Sequence, residues 1–276
     1  MTSPGELALC LSTLLADPMS AGADEVVSAL DAAAAAGCGG VSAWTLHVLA
    51  FDPDPAAFRE AAASRGLSVD VVEAAVGWSS GGGDAGPDAD LTLEVAEGVG
   101  AQQVVAVCLD PVLADAAAAV RGFGDLSDRA AARGIRVALE FLPWTGVPGL
   151  ADAWALVEAA GRSNGGILLD AWHWQRQPGG PCPDLLATLP PSAVHLLQLC
   201  DARPEPGDDA MAEAMAERLV PGDGVVDFEG LAAALVGSGA TPLLSPEVFS
   251  RDGLSLGPEA FAAGVVGACC ASWPAP

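Results

Sequence analysis

The chain has 276 residues, 51% of them hydrophobic, and carries 11 basic against 36 acidic side chains for a formal net charge of −25. Nucleic-acid binders and anionic-membrane binders need a basic footprint, which this composition excludes. All 11 basic residues are Arg, and Tyr is absent too, so Schiff-base chemistry on Lys, a P-loop Lys and a phenolic acid or base are ruled out.

Short β-type runs alternate with Ala-rich helical runs from the N-terminus onward. Strands are expected at Leu7–Ser12, Gly40–Ala43, Ser68–Ala74, Gln103–Cys108, Arg136–Phe141, Gly166–Asp170, Ala193–Cys200 and Pro242–Val248. Helices are expected between and after them, at about 23–36, 55–65, 87–99, 113–133, 150–161, 182–188, 228–237 and 257–270. Asp54-Pro55 supplies an N-cap followed by a proline at the first helical position, and Gly37, Gly66, Gly100, Gly134 and Gly161 fall where helices should stop. This alternation predicts parallel βα units, and eight of them favour closure into a single-domain (β/α)8 TIM barrel over residues 1–276. A Rossmann sheet would want G-x-G-x-x-G after the first strand, and LCLSTLLADP has none.

Two segments break the rhythm. Gly77–Asp90 is too Gly-rich for a helix and is expected to be a mobile loop. Asp201–Gly224 is far longer than an ordinary βα loop and contains a short helical stretch, Asp208–Glu217, expected to act as a lid. The start lacks the basic region of a secretory leader, and no apolar run reaches membrane-spanning length. The seven Cys contain no C-x-x-C pair and are read as free thiols, which places the chain in the cytoplasm. A homo-oligomer is left open.

The chemistry lies at the strand ends. RVALEF ends at Glu140, GILLD at Asp170, AVHLLQLCD offers Gln198, and PLLSPEVF offers Glu247. Stepping back by two from each reaches Ala138, Leu168, Leu196 and Ser245, a packed interior below a polar top. Three carboxylates on one rim would repel one another and be driven to protonate, and a divalent cation removes that conflict. With the amide oxygen of Gln198 the donor set is all oxygen, which suits Mn2+ or Mg2+ better than Zn2+ or Co2+. His195 has the opposite parity and is expected to be a core histidine facing the helices.

Candidate substrate contacts are His173, three residues after Asp170; His47, after the second strand; and two arginines, Arg203 and Arg218. Five of the seven Trp follow strand ends, among them Trp144 and Trp172, which would form an apolar wall for a sugar face or a planar ring.

The segments LEFLPWTGVPGL, NGGILLDAWHWQR, AVHLLQLCDA, RLVPGDGVVDFEGL and PLLSPEVFS resemble the sugar phosphate isomerase/epimerase family of the xylose isomerase-like barrel superfamily, over roughly residues 5–270. The resemblance implies that Glu140, Asp170, Gln198 and Glu247 bind a divalent metal, with His173 as the histidine of a D-x-x-H motif. The sugar epimerases usually carry His at the strand 7 position, whereas Gln198 is similar to hydroxypyruvate isomerases and 3-dehydroshikimate dehydratases. The substrate Arg of the sugar epimerases falls six residues after the strand 7 ligand, and here Arg203 falls five after. The related DNA-repair endonucleases need more His ligands and a basic face, and xylose isomerases proper use a Lys; this chain has none of these.

The resulting expectation is a metal-dependent isomerase or epimerase of a sugar or related hydroxy-ketone, in which Glu140 and Glu247 move a proton and His173 assists through an enediolate. The alternative is a dehydratase of a cyclic hydroxy-ketone, like 3-dehydroshikimate or inosose dehydratases. A third class, a metal-free ligand-binding barrel, would leave all four ligand positions without a purpose.

Overall fold

The computed structural model describes residues 2–80 and 86–274. Eight parallel strands form one sheet in chain order: β1 (Ala8–Cys10), β2 (Gly40–Trp44), β3 (Ser68–Ala75), β4 (Gln103–Val107), β5 (Arg136–Glu140), β6 (Gly165–Asp170), β7 (Val194–Leu199) and β8 (Leu243–Pro246). A parallel bridge between Leu7 and Leu244 brings the last strand back to the first. The chain is thus a single-domain (β/α)8 barrel, as the alternation predicts.

The outer ring is α1 (Ala23–Ala35), α2 (Pro55–Ala63), α3 (Gly86–Val99), α4 (Ala116–Ala131), α5 (Leu150–Ala160), α6 (Pro183–Thr188), α7 (Phe228–Ser238) and α8 (Pro258–Ser272). Local chemistry sets their ends. Asp54 accepts from the Ala56 amide to open α2 at Pro55, and Gly161 closes α5 at φ 65°, a backbone state that a side chain would strain. Three short helices follow strand ends, Thr45–Phe51 and Ala171–Arg176 directly and Arg251–Leu254 after four residues. Their few residues give no usable helical period, so they could not be read from the sequence.

Strand alternation divides the apolar residues into two cores. Outward-facing residues such as Val41, Val104, Leu139 and Leu169 pack under the helices. The inward set is small: Val71, Val105, Val107, Ala138, Leu142, Leu168 and Leu196. Ala138, Leu168 and Leu196 are therefore the barrel floor that the two-residue step predicts, and Ser245 is buried with them. His195 departs from expectation in its direction. The β6–β7 register breaks beside it, between Ile167 and Leu168, and its ring sits where a side chain on Gly166 would be, at the base of the strands. A bulge shifts side-chain parity locally, which the alternation rule does not see.

The Gly-rich segment after β3 forms one short turn, Trp78–Ser80, and α3 begins at Gly86; the rest of the loop expected to be mobile lies outside the described residues. The segment after β7 is tied down. Antiparallel bridges join Asp201 to Leu219 and Glu217 to Ser250, and between them a helix runs over Ala210–Ala216, capped by Asp209. Among the described residues no helix is long and apolar enough to cross a membrane. All seven cysteines are free.

Candidate active site

The C-terminal ends of the strands converge on a buried polar floor. Asp170 ends β6 and is also the N-cap of the helix Ala171–Arg176: its Oδ1 accepts from the His173 amide at 2.8 Å. That cap places the His173 ring in the first turn, with Nε2 3.3 Å from Glu140 Oε1 on β5. Trp144 and Trp172 meet the imidazole edge-on at 5.4 and 5.2 Å. The D-x-x-H spacing is thus a helix cap that delivers a histidine to a neighbouring carboxylate.

Across the floor, Gln198 on β7 donates from Nε2 to Glu247 Oε1 at 3.0 Å and to Glu73 Oε2 at 3.4 Å. Glu73, on β3, also accepts a short hydrogen bond from the Ser42 hydroxyl on β2, and the Cys10 thiol on β1 donates to Glu247 Oε1 at 3.2 Å. Every strand except β4, whose inward residues Val105 and Val107 are apolar, therefore contributes a polar group within two residues of its end. Arg218 enters from the long β7 segment. Its Nη1 lies 2.6 Å from Asp170 Oδ2 and 3.2 Å from Glu247 Oε2, its Nε donates to the Ala214 carbonyl, and its guanidinium sits 4.9 Å over the Phe249 ring.

The titration behaviour follows from this crowding. Burial, with Glu73 and other carboxylates adding to it, drives the Glu247 carboxyl well above its usual range. Burial likewise lifts Glu73, to about 7, against the hydrogen bond from Ser42. Asp170 is buried as deeply, but the Arg218 charge, His173 and the His173 amide outweigh the burial and hold it below the ordinary carboxylate value. Arg218 is raised, because the attraction of Asp170 and its neighbours exceeds the cost of its burial. Without a further cation the floor is short of positive charge.

Whether these residues fit a divalent ion can be judged from the donors themselves. Gln198 Oε1 is buried with no partner, so the amide turns an acceptor toward nothing in the protein. Glu140, Asp170 and His173 bring ligand atoms within 4.8 Å of one another, and so do Glu247, Glu73 and Cys10. An orphaned amide oxygen among converging carboxylates fits a hard cation. The expected ligands share one floor but not one cluster: Glu140 and Asp170 fall in one group, Glu247 in the other, and Gln198 joins the second through its hydrogen bonds to Glu247 and Glu73, with Arg218 bridging Asp170 and Glu247.

The sequence reading missed Glu73, Ser42 and Cys10. Glu73 stands two residues after the inward Val71 in SVDVVEAA, and an acid at an inward position of an apolar strand was the signal available. Not all of the other expected contacts lie on the cavity. His47 is fully buried, with Nδ1 accepting from the Trp44 amide and Nε2 2.8 Å from the Pro18 carbonyl; stacked on Trp44, it holds the β2 loop and does not reach the cavity. Arg203 is on the surface, paired with Glu217 at 2.7 Å. Trp172 is buried behind Trp144, its indole N–H donating to Glu213, because the helix started by Asp170 turns it away from the opening. Trp144 and Arg218 do line the cavity.

That cavity, about 620 Å³, opens above the floor; Glu73, Glu140, His173, Arg218 and Glu247 form its base. Its walls are mainly apolar, with Trp44, Val76, Leu91, Leu142, Trp144 and Phe249 from several strand ends and loops around it, Thr45, Asp88 and Thr92 among them, and Met211 and Met215 from the helix Ala210–Ala216 closing one side.

The barrel with its carboxylate floor places the chain in a class. The profile of the xylose isomerase-like TIM barrel family matches residues 30–265, and the chain belongs to that family. Among characterised relatives, 3-dehydroshikimate dehydratase of Pseudomonas aeruginosa is 32% identical over 238 residues, 83% of this chain and 37% of that enzyme. Inosose isomerase of Halalkalibacterium halodurans is 30% identical over 137 residues, 49% of this chain and 47% of that one. The chain therefore spans less than half the length of these relatives. The IOLI protein, solved with a bound zinc atom, superposes with a TM-score of 0.79 at 21% identity, over 95% of this chain and 96% of that one, a likeness that shows the fold.

Proposed function

We propose that this protein is a divalent-metal-dependent isomerase or epimerase of a hydroxy-ketone, working by proton transfer at the carbon beside a carbonyl. The observation that carries this reading is the pair Glu140 and Glu247: two buried carboxyls from β5 and β8, approaching one cavity base from different sides, each held by a separate set of partners. Glu140, Asp170, Gln198 and Glu247 would hold the ion, Mn2+ or Mg2+ by the oxygen character of the set. When bound, such an ion polarises the carbonyl and the adjacent hydroxyl of the substrate.

The protein's own residues do the rest. One glutamate takes the proton from the carbon, leaving its electron pair in an enediolate. The other returns a proton to the neighbouring carbon or to the opposite face. His173, held against Glu140, can donate to the oxygen on which charge develops. Arg218 balances Asp170 and keeps it ionised, and offsets only part of what burial and the other carboxylates do to Glu247. The apolar walls exclude water from the carbanion.

A second reading, a dehydratase, is favoured by one finding: the 32% identical relative, matched over most of this chain, is a dehydratase. The first proton transfer is common to both, and the reactions part when a β-hydroxyl leaves as water.

The test is incubation of metal-loaded protein with hydroxy-ketones in D2O. Carbon-bound deuterium in recovered substrate or its isomer, with no loss of water, is the expected result; a new C=C bond with no exchange would favour the lyase. Glu247→Gln should lower turnover by at least a thousandfold, measured as kcat. Retained turnover would remove Glu247 from the proton path, and full turnover by chelator-treated protein would remove the metal.

A further inference from the structure

The cavity above the floor is mismatched to the small anions that a sugar-phosphate enzyme would handle. Its base carries Glu73, Glu140 and Glu247, and its wall adds Asp88. Arg218 is the one guanidinium among the described lining residues, and its Nη1 is engaged by Asp170 and Glu247 and its Nε by the Ala214 carbonyl. His173, the other basic side chain there, faces Glu140. The undescribed segment 81–85 reads GGGDA and has no basic residue. Even with a divalent ion bound, a phosphate or carboxylate would enter against Glu73, Glu140, Glu247 and Asp88, with Arg218 already shared between two carboxylates.

The same walls are dominated by apolar side chains, more of them than a small polyol would cover. Leu91, Leu142, Met211, Met215 and Phe249 form an apolar collar in which Thr45, Thr92 and the indoles of Trp44 and Trp144 are the uncharged polar groups, and Met211 and Met215 keep about half their surface open to solvent at the mouth (53% and 43%). A volume of about 620 Å³ lies within the roughly 300–1,000 Å³ of small-molecule sites and leaves room for a body beyond the polar head. Flexible Met side chains at the mouth suit an apolar body of variable shape.

We infer that the substrate is an uncharged, amphiphilic hydroxy-ketone: a polar head on the carboxylate floor joined to an aromatic or aliphatic body lying in the Met–Leu–Trp collar. This inference rests on the proton-transfer reading above for the identity of the head and on the cavity for the charge and the body. It separates this chain from its dehydratase relative, whose named substrate is a carboxylate.

The test uses four probes on metal-loaded full-length protein: 2-hydroxyacetophenone, dihydroxyacetone, dihydroxyacetone phosphate and 3-dehydroshikimate. Kd is measured by calorimetry, and C–H exchange in D2O by NMR. The aryl ketone should bind at least tenfold more tightly than dihydroxyacetone, and the two anions no more tightly than dihydroxyacetone. Met211→Ser/Met215→Ser should narrow the aryl preference severalfold, and Leu91→Arg should tighten the phosphate probe severalfold. Tenfold preference for either anion, or an aryl preference that is absent or survives both variants unchanged, would overturn the inference. Tight aryl binding with no exchange of any probe would sink the proton-transfer reading alone. Exchange with an anion preferred would sink the substrate class alone.

Discussion

Arg218 shows how much one buried charge can hold together. It is 2% exposed and lies between two carboxylates that are also out of water. Removing one partner of such a cluster leaves the others uncompensated, at a cost of about 3–5 kcal/mol. Arg218→Met should therefore lower the melting temperature sharply, and a divalent ion should restore more of it than in the parent, because the ion replaces the missing positive charge. Equal ion-induced stabilisation of both proteins would disprove the sharing of charge. Glu73 acts at one remove. Through Gln198 Nε2 it fixes which way the amide oxygen faces, and Ser42 in turn fixes Glu73. Glu73→Gln should weaken metal affinity about 10–100-fold, the usual effect of disturbing a group that orients a ligand, as read by metal titration with chelator competition.

At the scale of the element, the segment after β7 is the part of the barrel most specialised for the site. Ordinary βα loops turn at once, whereas this one inserts the helix Ala210–Ala216, carries Met211 and Met215 to the cavity mouth, and returns Arg218 to the floor. Its anchors are polar: Glu213 is buried, accepts from Arg176 at 2.7 Å, from the Trp172 indole and from the Gly207 amide, and so fastens the helix to the one that carries His173. Asp209 accepts from the amides of Met211 and Ala212. Asp209→Ala should cost about 1 kcal/mol locally. The expected outcome is faster proteolysis within 203–218 and a higher KM with a smaller change in kcat, since the loosened element carries the cavity wall. A fall in kcat alone would place the helix in the chemistry instead.

For the molecule as a whole, two buried histidines far from proton transfer govern part of the acid stability. Burial lowers both His47 and His195 to about 4. Each is thus neutral in the fold while the unfolded chain protonates near 6.5, so stability is undiminished above that value, falls as pH drops toward 4, and levels off below. At about 1.4 kcal/mol per pKa unit the loss is on the order of a few kcal/mol per histidine. Glu73, raised to about 7, works in the opposite sense, its strain being relieved as pH falls through 7. The comparison that isolates the histidines is His47→Gln/His195→Gln against the parent: the variant should lose less stability between pH 6.5 and 4, as read by denaturant unfolding. Parallel curves would show that neither ring is buried neutral.

The alternation of strand and helix, the eightfold count and the inward step Ala138, Leu168, Leu196 follow from the sequence alone, because period-two and helical hydrophobic patterns are local properties. So does the presence of Glu140, Asp170, Gln198 and Glu247 on one rim, since parallel strands in a barrel end at the same face. Tertiary structure alone decided which side chains meet. It set Glu73 and Cys10 beside Glu247, drew Arg218 in from a remote loop, and turned His47 and Trp172 away from the opening. Those outcomes depend on barrel closure, on short helices that re-aim side chains after a strand, on charge balance around Arg218, and on contacts between residues up to 237 positions apart in the chain. The acids and amide of the opening pattern are thus a local reading, while the cation that balances them and the apolar collar above them belong to the folded barrel.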